Sequence, residues 1–189
     1  MRWTYAGVRP LFDDASKSAS RVTRDYRIEL AHGLGAPLLS IFGGKLTTYR
    51  RLAETVLEKL QEPLSVSPRH WTHRAALPGG DLPARNFRRF VIDVRRRWRF
   101  LPITVARRLA RAYGTRVETI IGNASSFADL GEHYGAGLTA AEVDYLARNE
   151  WALTDEDILW RRSKLGLHMS DAERQRFAAK LGTGSSACA

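Results

Sequence analysis

The sequence predicts an α+β protein that is mostly α, with short antiparallel strands and one helix followed by an all-α C-terminal domain. Three observations predict it. Val22, Arg24, Tyr26, Ile28 and Leu30 alternate with Thr23, Asp25, Arg27 and Glu29, the period of a half-buried strand, and Gly33-Leu34-Gly35 leads into a second apolar run. Beyond Pro83, apolar residues recur at helical spacing, as in Phe87, Phe90, Val91, Val94 and Trp98. Four capping-box pairs mark helix starts there: Thr115 with Glu118, Thr139 with Glu142, Thr154 with Asp157, and Ser170 with Glu173.

The elements follow in order. Residues 3–11 read as a strand. The alternating run and residues 36–42 form a hairpin that Gly43-Gly44 ends. Thr47 or Thr48 then caps a helix reaching about Leu60, with Leu52, Val56 and Leu60 on one side. Between Gln61 and Pro83 the periodicity fails over Pro63, Pro68, Pro78, Pro83 and Gly79-Gly80. Past it, Pro102 starts a helix, Gly114 stops it, and Gly122, Gly166 and Gly182 sit where helix ends are expected. The expected core of six or seven short helices is Phe90, Val94, Val105, Leu109, Ile120, Leu146, Ile158 and Phe177. The expected division is 1–62 for the strand–helix piece, 63–83 for a linker, 84–182 for the helical domain and 183–189 for a flexible tail. A hairpin and one helix cannot bury both faces of a sheet, so the first 60 residues read as the end of something larger.

Composition bounds the function. The 189 residues carry 30 Lys and Arg against 20 Asp and Glu, a net charge of +10, and all but five of the cations are arginine. Such a balance favours an acidic partner. A lone cysteine, Cys188, excludes a disulfide framework and a cysteine-ligated zinc site, and suits a reducing compartment. The longest apolar run falls far short of the ~20 residues of a spanning helix, and the N-terminus carries no secretory pattern. No metal is expected: His70-Trp71-Thr72-His73 has ligand-like spacing but no third ligand near it.

Two features carry chemistry. Strand alternation puts Arg24 on the face of Val22, Tyr26 and Ile28, and Arg9 on that of Trp3, Tyr5 and Leu11. A guanidinium on such a face pairs with an internal carboxylate, or the strand ends early, or two of them converge on a phosphate or carboxylate ligand. The second feature is Phe42-Gly43-Gly44-Lys45-Leu46-Thr47-Thr48-Tyr49-Arg50, where a strand ends, two glycines allow close backbone approach, and a helix begins. Helix N-termini attract anions, and Lys45 adds a full charge. The alternative is an ordinary strand–turn–helix.

Tyr5 to Leu11 (Tyr-Ala-Gly-Val-Arg-Pro-Leu), Thr23-Arg24-Asp25-Tyr26 and the Phe42–Arg50 segment resemble the C-terminal part of aerobic, FAD-dependent glycerol-3-phosphate dehydrogenase. So do Leu109 to Gly114, Gly131-Glu132, Leu138 to Val143 and Asp157 to Gly166. The resemblance implies oxidation of glycerol 3-phosphate to dihydroxyacetone phosphate, with FAD as cofactor and quinone as electron acceptor. It places Arg9, Arg24 and Lys45 at the substrate, holding its phosphate and polarising its C2 oxygen. It places Gly43, Gly44, Leu46, Thr47 and Thr48 against the flavin ring. The dinucleotide-binding motif G-x-G-x-x-G is absent from the chain, so the expectation is an inactive C-terminal piece. Its partner is the N-terminal FAD-binding part of the same enzyme, in a cytoplasmic protein peripheral to the inner face of the membrane, with a homodimer also in view.

The run from Arg85 to Arg116 holds eleven arginines and one acid, Asp93; residues 126–160 hold eight acids and one arginine, Arg148. The basic run reads as a solvated helix face, as a partner of the acidic segment, or as a surface for anionic lipid. No nucleic-acid partner is expected, because no groove-reading motif accompanies the arginines. The competing reading of the whole is a basic helical binding module docking on anionic lipid or nucleic acid. The glycine–lysine–threonine turn and the inward arginines are features such a module has no use for.

Overall fold

The computed structural model describes residues 4–8, 25–33, 35–67 and 69–184. The chain is mostly α, with six α-helices and two small antiparallel sheets among the described residues. It divides into two compact units, Thr4–Ala75 and Ala76 onward.

In the first unit, β1 (Tyr26–Ala31) pairs antiparallel with β2 (Leu38–Gly43), in a register that sets Ile28 opposite Ile41 and Leu30 opposite Leu39. Burial along β1 alternates residue by residue, with Tyr26, Ile28 and Leu30 on the more covered face. A 3₁₀ turn at Leu46–Thr48 leads into α1 (Tyr49–Leu64). This helix outruns the expected end at Leu60. Pro63 falls in its last turn, where its missing N–H removes a single bond, and Ser65 ends it with a left-handed φ of 51°. No described residue of this unit is buried, because one small hairpin and one helix cannot enclose a core. Residues 4–8 are exposed and form no strand, which corrects the strand expected over 3–11 within the described residues. Arg9, Arg24 and Val22 lie outside the described residues, as do Cys188 and the last five residues.

The second unit holds the core. Helix α2 (Phe87–Arg97) starts where the Asn86 side chain accepts from the Arg89 N–H at 3.1 Å. It buries Phe90 and Val94 against α3 (Ile103–Tyr113), which contributes Val105, Ala106, Leu109 and Ala110. Gly114 stops α3, and a 3₁₀ turn leads into α4 (Val117–Ile121), which Gly122 ends. Helix α5 (Ala140–Glu150) adds Val143 and Leu146, a π-helical turn at Asp157–Arg162 adds Ile158 and Leu159, and α6 (Asp171–Gly184) adds Phe177. Every residue expected in the core is buried.

Several local expectations are corrected. The unit is not wholly helical: β3 (His133–Gly135) and β4 (Leu138–Thr139) form a short hairpin, too brief to leave a periodic signal. The boxes at Thr154/Asp157 and Ser170/Glu173 form reciprocally, each hydroxyl accepting from the acid's N–H and each acid accepting from the cap's N–H. The other two do not. Thr115 lies inside the 3₁₀ turn and its hydroxyl bonds Asp81, while Thr139 precedes α5 without a side-chain cap and Glu142 turns inward. An unexpected box joins Ser126 and Asp129. Gly166 sits within a 3₁₀ turn against Trp160, and Gly182 lies inside α6, so the helix continues into the region expected to be a flexible tail. The expected linker at 63–83 is shared out. Thr72 and His70 lie against α1, and Gly79 meets Gly114.

Candidate functional site

The turn between β2 and α1 is built by its two glycines. Gly43 and Gly44 have φ values of 70° and 101°, which residues with a Cβ rarely adopt, and a Cβ on Gly44 would come within 3.3 Å of the Tyr26 Cβ. The chain then straightens at Lys45, whose side chain is exposed, as are those of Leu46 and Thr47. Thr48 is half-buried, and its hydroxyl and N–H both bond back to the Lys45 carbonyl, at 2.9 Å and 3.0 Å. It therefore folds the turn rather than capping α1. The first turn of a helix leaves its N–H groups without helical acceptors, so this end presents a positive dipole beside the Lys45 ammonium. Lys45, Leu46, Thr47, Thr48, Gly43 and Gly44 are thus brought together; Arg9 and Arg24, the other two expected substrate ligands, lie outside the described residues.

In the first turn of α1, Arg50 is half-buried and held by its neighbours. Its Nη1 donates to Glu54 Oε1 at 2.9 Å and to Thr72 Oγ1 at 3.3 Å, and Thr72 in turn bonds Glu54. The Thr72 hydrogen bond and the Arg50 guanidinium hold the Glu54 carboxyl below its ordinary value against the opposing effect of desolvation. The expected histidine pair is also accounted for: His70 lies 3.3 Å from Glu58 and 3.8 Å from Glu54, while His73 Nε2 accepts from Arg74 at 3.1 Å. Among the described residues no group of three or more His, Cys, Asp or Glu is placed to hold a metal ion.

The second unit holds a buried charge network that helical spacing does not reveal. Arg108 Nη1 and Nη2 donate to the two oxygens of Glu142, both at 2.6 Å, and Nη2 also donates to the Gly137 carbonyl at 2.7 Å. The Tyr113 hydroxyl donates to Glu142 Oε1 at 2.7 Å. Burial pushes the Tyr113 hydroxyl well above the usual phenol value, and the neighbouring Glu142 carboxylate adds to this, so it remains a donor. Burial acts against the Arg108 charge, but the Glu142 hydrogen bonds and field hold its pKa above the ordinary value. One signal for the pair was legible: an eleven-arginine run and an acid-rich segment in one small chain. The rest of the basic run splits between local pairs and open surface. Arg89 and Arg96 meet Asp93, Arg97 meets Glu118, and Arg88, Arg95 and Arg99 are exposed.

Comparison with known proteins gives a consistent answer. The chain is 49% identical over 179 residues to a glycerol-3-phosphate dehydrogenase of Pseudomonas aeruginosa, covering 94% of this chain and 35% of that protein. It is 45% identical over 180 residues to the aerobic glycerol-3-phosphate dehydrogenase of Escherichia coli, covering 95% and 36%. A D-erythritol 1-phosphate dehydrogenase of Brucella abortus is 42% identical over 174 residues, covering 92% and 35%. The chain thus spans about a third of the length of the curated relatives it matches. Residues 70–180 match the family described as the C-terminal domain of alpha-glycerophosphate oxidase, and the chain belongs to that family.

Proposed function

We propose that this chain is the C-terminal portion of an FAD-dependent dehydrogenase that oxidises sn-glycerol 3-phosphate to dihydroxyacetone phosphate and passes the electrons to quinone. The observation that carries the reading is the 49% identity to a glycerol-3-phosphate dehydrogenase over nearly the whole chain. The turn after β2 fits a flavin ring. The positive φ of Gly43 and Gly44 turns the chain sharply there, and the helix start and the exposed Lys45 ammonium suit an edge that gains negative charge. When bound, FAD supplies a two-electron acceptor for the hydride leaving C2. Gly43, Gly44, Leu46, Thr47 and Thr48 are the residues that would hold it. Arg9, Arg24 and Lys45 bind the substrate phosphate and orient and polarise the C2 hydroxyl. Flavin retention needs the N-terminal part of the enzyme, so this chain alone yields neither flavin absorbance nor turnover.

The basic run supports a peripheral site at the inner face of the membrane. Helix α2 exposes Arg88, Arg89, Arg95 and Arg96 around Ile92, which is 48% exposed. Among the described residues no helix is long and apolar enough to cross a membrane.

The test is Arg24→Met in the full-length enzyme, with Arg97→Met as control. A charge-assisted hydrogen bond is worth roughly 1.5–3 kcal/mol, so the variant is expected to keep FAD and lose about 10- to 150-fold in kcat/KM. Glycerol 3-phosphate and D-erythritol 1-phosphate are compared as substrates, and the former is expected to be preferred. A fully active Arg24→Met enzyme would make Arg24 a structural ion-pair partner.

A further inference from the structure

We propose that a groove on the second unit is a binding site for a phosphate-headed amphiphile, separate from the turn after β2 and independent of the dehydrogenase reading. The groove has a volume of about 830 Å³, within the range of small-molecule sites. Its apolar lining includes Leu82, Phe87 and Tyr145. Arg107, Arg111 and Arg116 also line it, against the single acid Glu150.

These cations are not equivalent. The Arg116 charge acts on Asp81, whose carboxyl the Thr115 hydrogen bond, chiefly, and Arg116 hold below the ordinary value. Arg107 and Arg111 are exposed and make no ion pair among the described residues. They stand at i and i+4 on α3, neighbours on one helix face. In a separate 480 Å³ hollow of the same unit, by contrast, Arg108 is already engaged by Glu142 and the Gly137 carbonyl. Two unengaged guanidiniums side by side match a tetrahedral phosphate, which accepts forked hydrogen bonds from each. The apolar lining beside them suits a short aliphatic body.

The groove is also preformed. Gly79 and Gly114 cross so closely that a Cβ on Gly114 would fall 1.8 Å from the Gly79 carbonyl oxygen, and the Thr115 N–H bonds that same oxygen at 3.1 Å. The 77–82 segment is thereby locked beside the end of α3, so little ordering is needed on binding.

The test uses the full chain and calorimetric titration with 1-hexanoyl lysophosphatidate, with 1-hexanoylglycerol as its neutral analogue and inorganic phosphate as competitor. The phosphate-headed probe is expected to bind at least about tenfold tighter than the neutral one. Arg107→Met/Arg111→Met is expected to lose about 10- to 150-fold, while Arg176→Met, an exposed arginine of α6 outside the groove, binds normally. Glu150→Gln removes the opposing charge and is expected to tighten binding. Competition by inorganic phosphate at the same concentration identifies free phosphate chemistry as sufficient; its failure to compete identifies a lipid headgroup. Equal binding of both hexanoyl probes overturns the proposal. So does retained affinity in the double variant, or an equal loss in Arg176→Met. If circular dichroism shows the double variant unfolded, Glu150→Gln decides, and unchanged affinity there overturns the site.

Discussion

Glu142 is 1% exposed and accepts from three donor atoms on Arg108 and Tyr113, so its charge is matched only while those partners stay in place. Truncating it leaves a largely buried guanidinium without its counter-ion. Glu142→Ala is therefore expected to lose about 3–5 kcal/mol in urea unfolding, whereas Glu118→Ala, removing an exposed partner of Arg97, changes little. Carboxylates nearer the surface act through pH instead. Backbone N–H bonds from Leu153 and Thr154, with Arg161 nearby, bring Asp157 down to about 2 from 3.8. Backbone N–H bonds, with serine hydroxyl bonds beside them, lower Asp129 and Glu173 in the same sense. Their folded values lie below their unfolded ones, so their contribution is present above the ordinary carboxylate range and lost as pH falls through the folded values. The stability difference between the parent and Asp157→Asn is expected to hold near pH 7 and to shrink between pH 3.8 and about 2. A difference that stays constant down to pH 2 would detach Asp157 from acid unfolding.

At the scale of elements, helix ends decide where the chain turns. The Ser170 hydroxyl accepts from the Glu173 N–H at 3.3 Å while Glu173 Oε2 takes the Ser170 N–H at 2.8 Å, which starts α6. Ser170→Ala is expected to cost about 1 kcal/mol, read by thermal unfolding. The end of α3 is under a stricter constraint. Gly114 and Gly122 share nearly the same φ, 54° and 55°, but only Gly114 has another chain segment where a Cβ would stand. Gly122→Ala therefore carries backbone strain alone, of about 1–3 kcal/mol. Gly114→Ala is expected to cost clearly more and to free the 77–82 segment, seen as faster amide exchange at Gly80, whose N–H otherwise bonds the Leu77 carbonyl at 2.7 Å. Equal costs for the two would mean that the crossing with Gly79 relaxes freely.

On the scale of the whole molecule, stability is unevenly placed. Among the described residues, all the buried hydrophobic ones lie from Phe90 onward, while the hairpin and α1 leave Leu38, Ile41, Leu57 and Leu64 largely exposed. Burial supplies most of the favourable free energy of folding. Limited trypsin digestion is thus expected to remove the first unit and leave a product starting near Ala76, after cleavage at the exposed Arg74. That product is expected to melt cooperatively. Cleavage within α3 or α5 ahead of Arg74 would place the stable unit elsewhere.

The sequence by itself determined the hairpin, because the period of 2 from Tyr26 to Leu30 survives as residue-by-residue burial, and the core of the second unit, because helical spacing selected residues that are all buried. It also located the turn at Gly43-Gly44, since two consecutive positive φ values call for glycine. Tertiary structure alone decided the rest. Thr139 and Glu142 have the spacing of a cap as good as Ser170 and Glu173, yet Glu142 turns inward because Arg108, 34 residues away, needs its charge there. The two residues of β4 are too few to mark a strand by pattern, and the β3–β4 pairing is joined by the Ala140 N–H bond to the Glu132 carbonyl and packs Gly135 beside Glu173. Local spacing records which bonds a residue is able to make; which of them forms depends on the partners that the fold brings within reach.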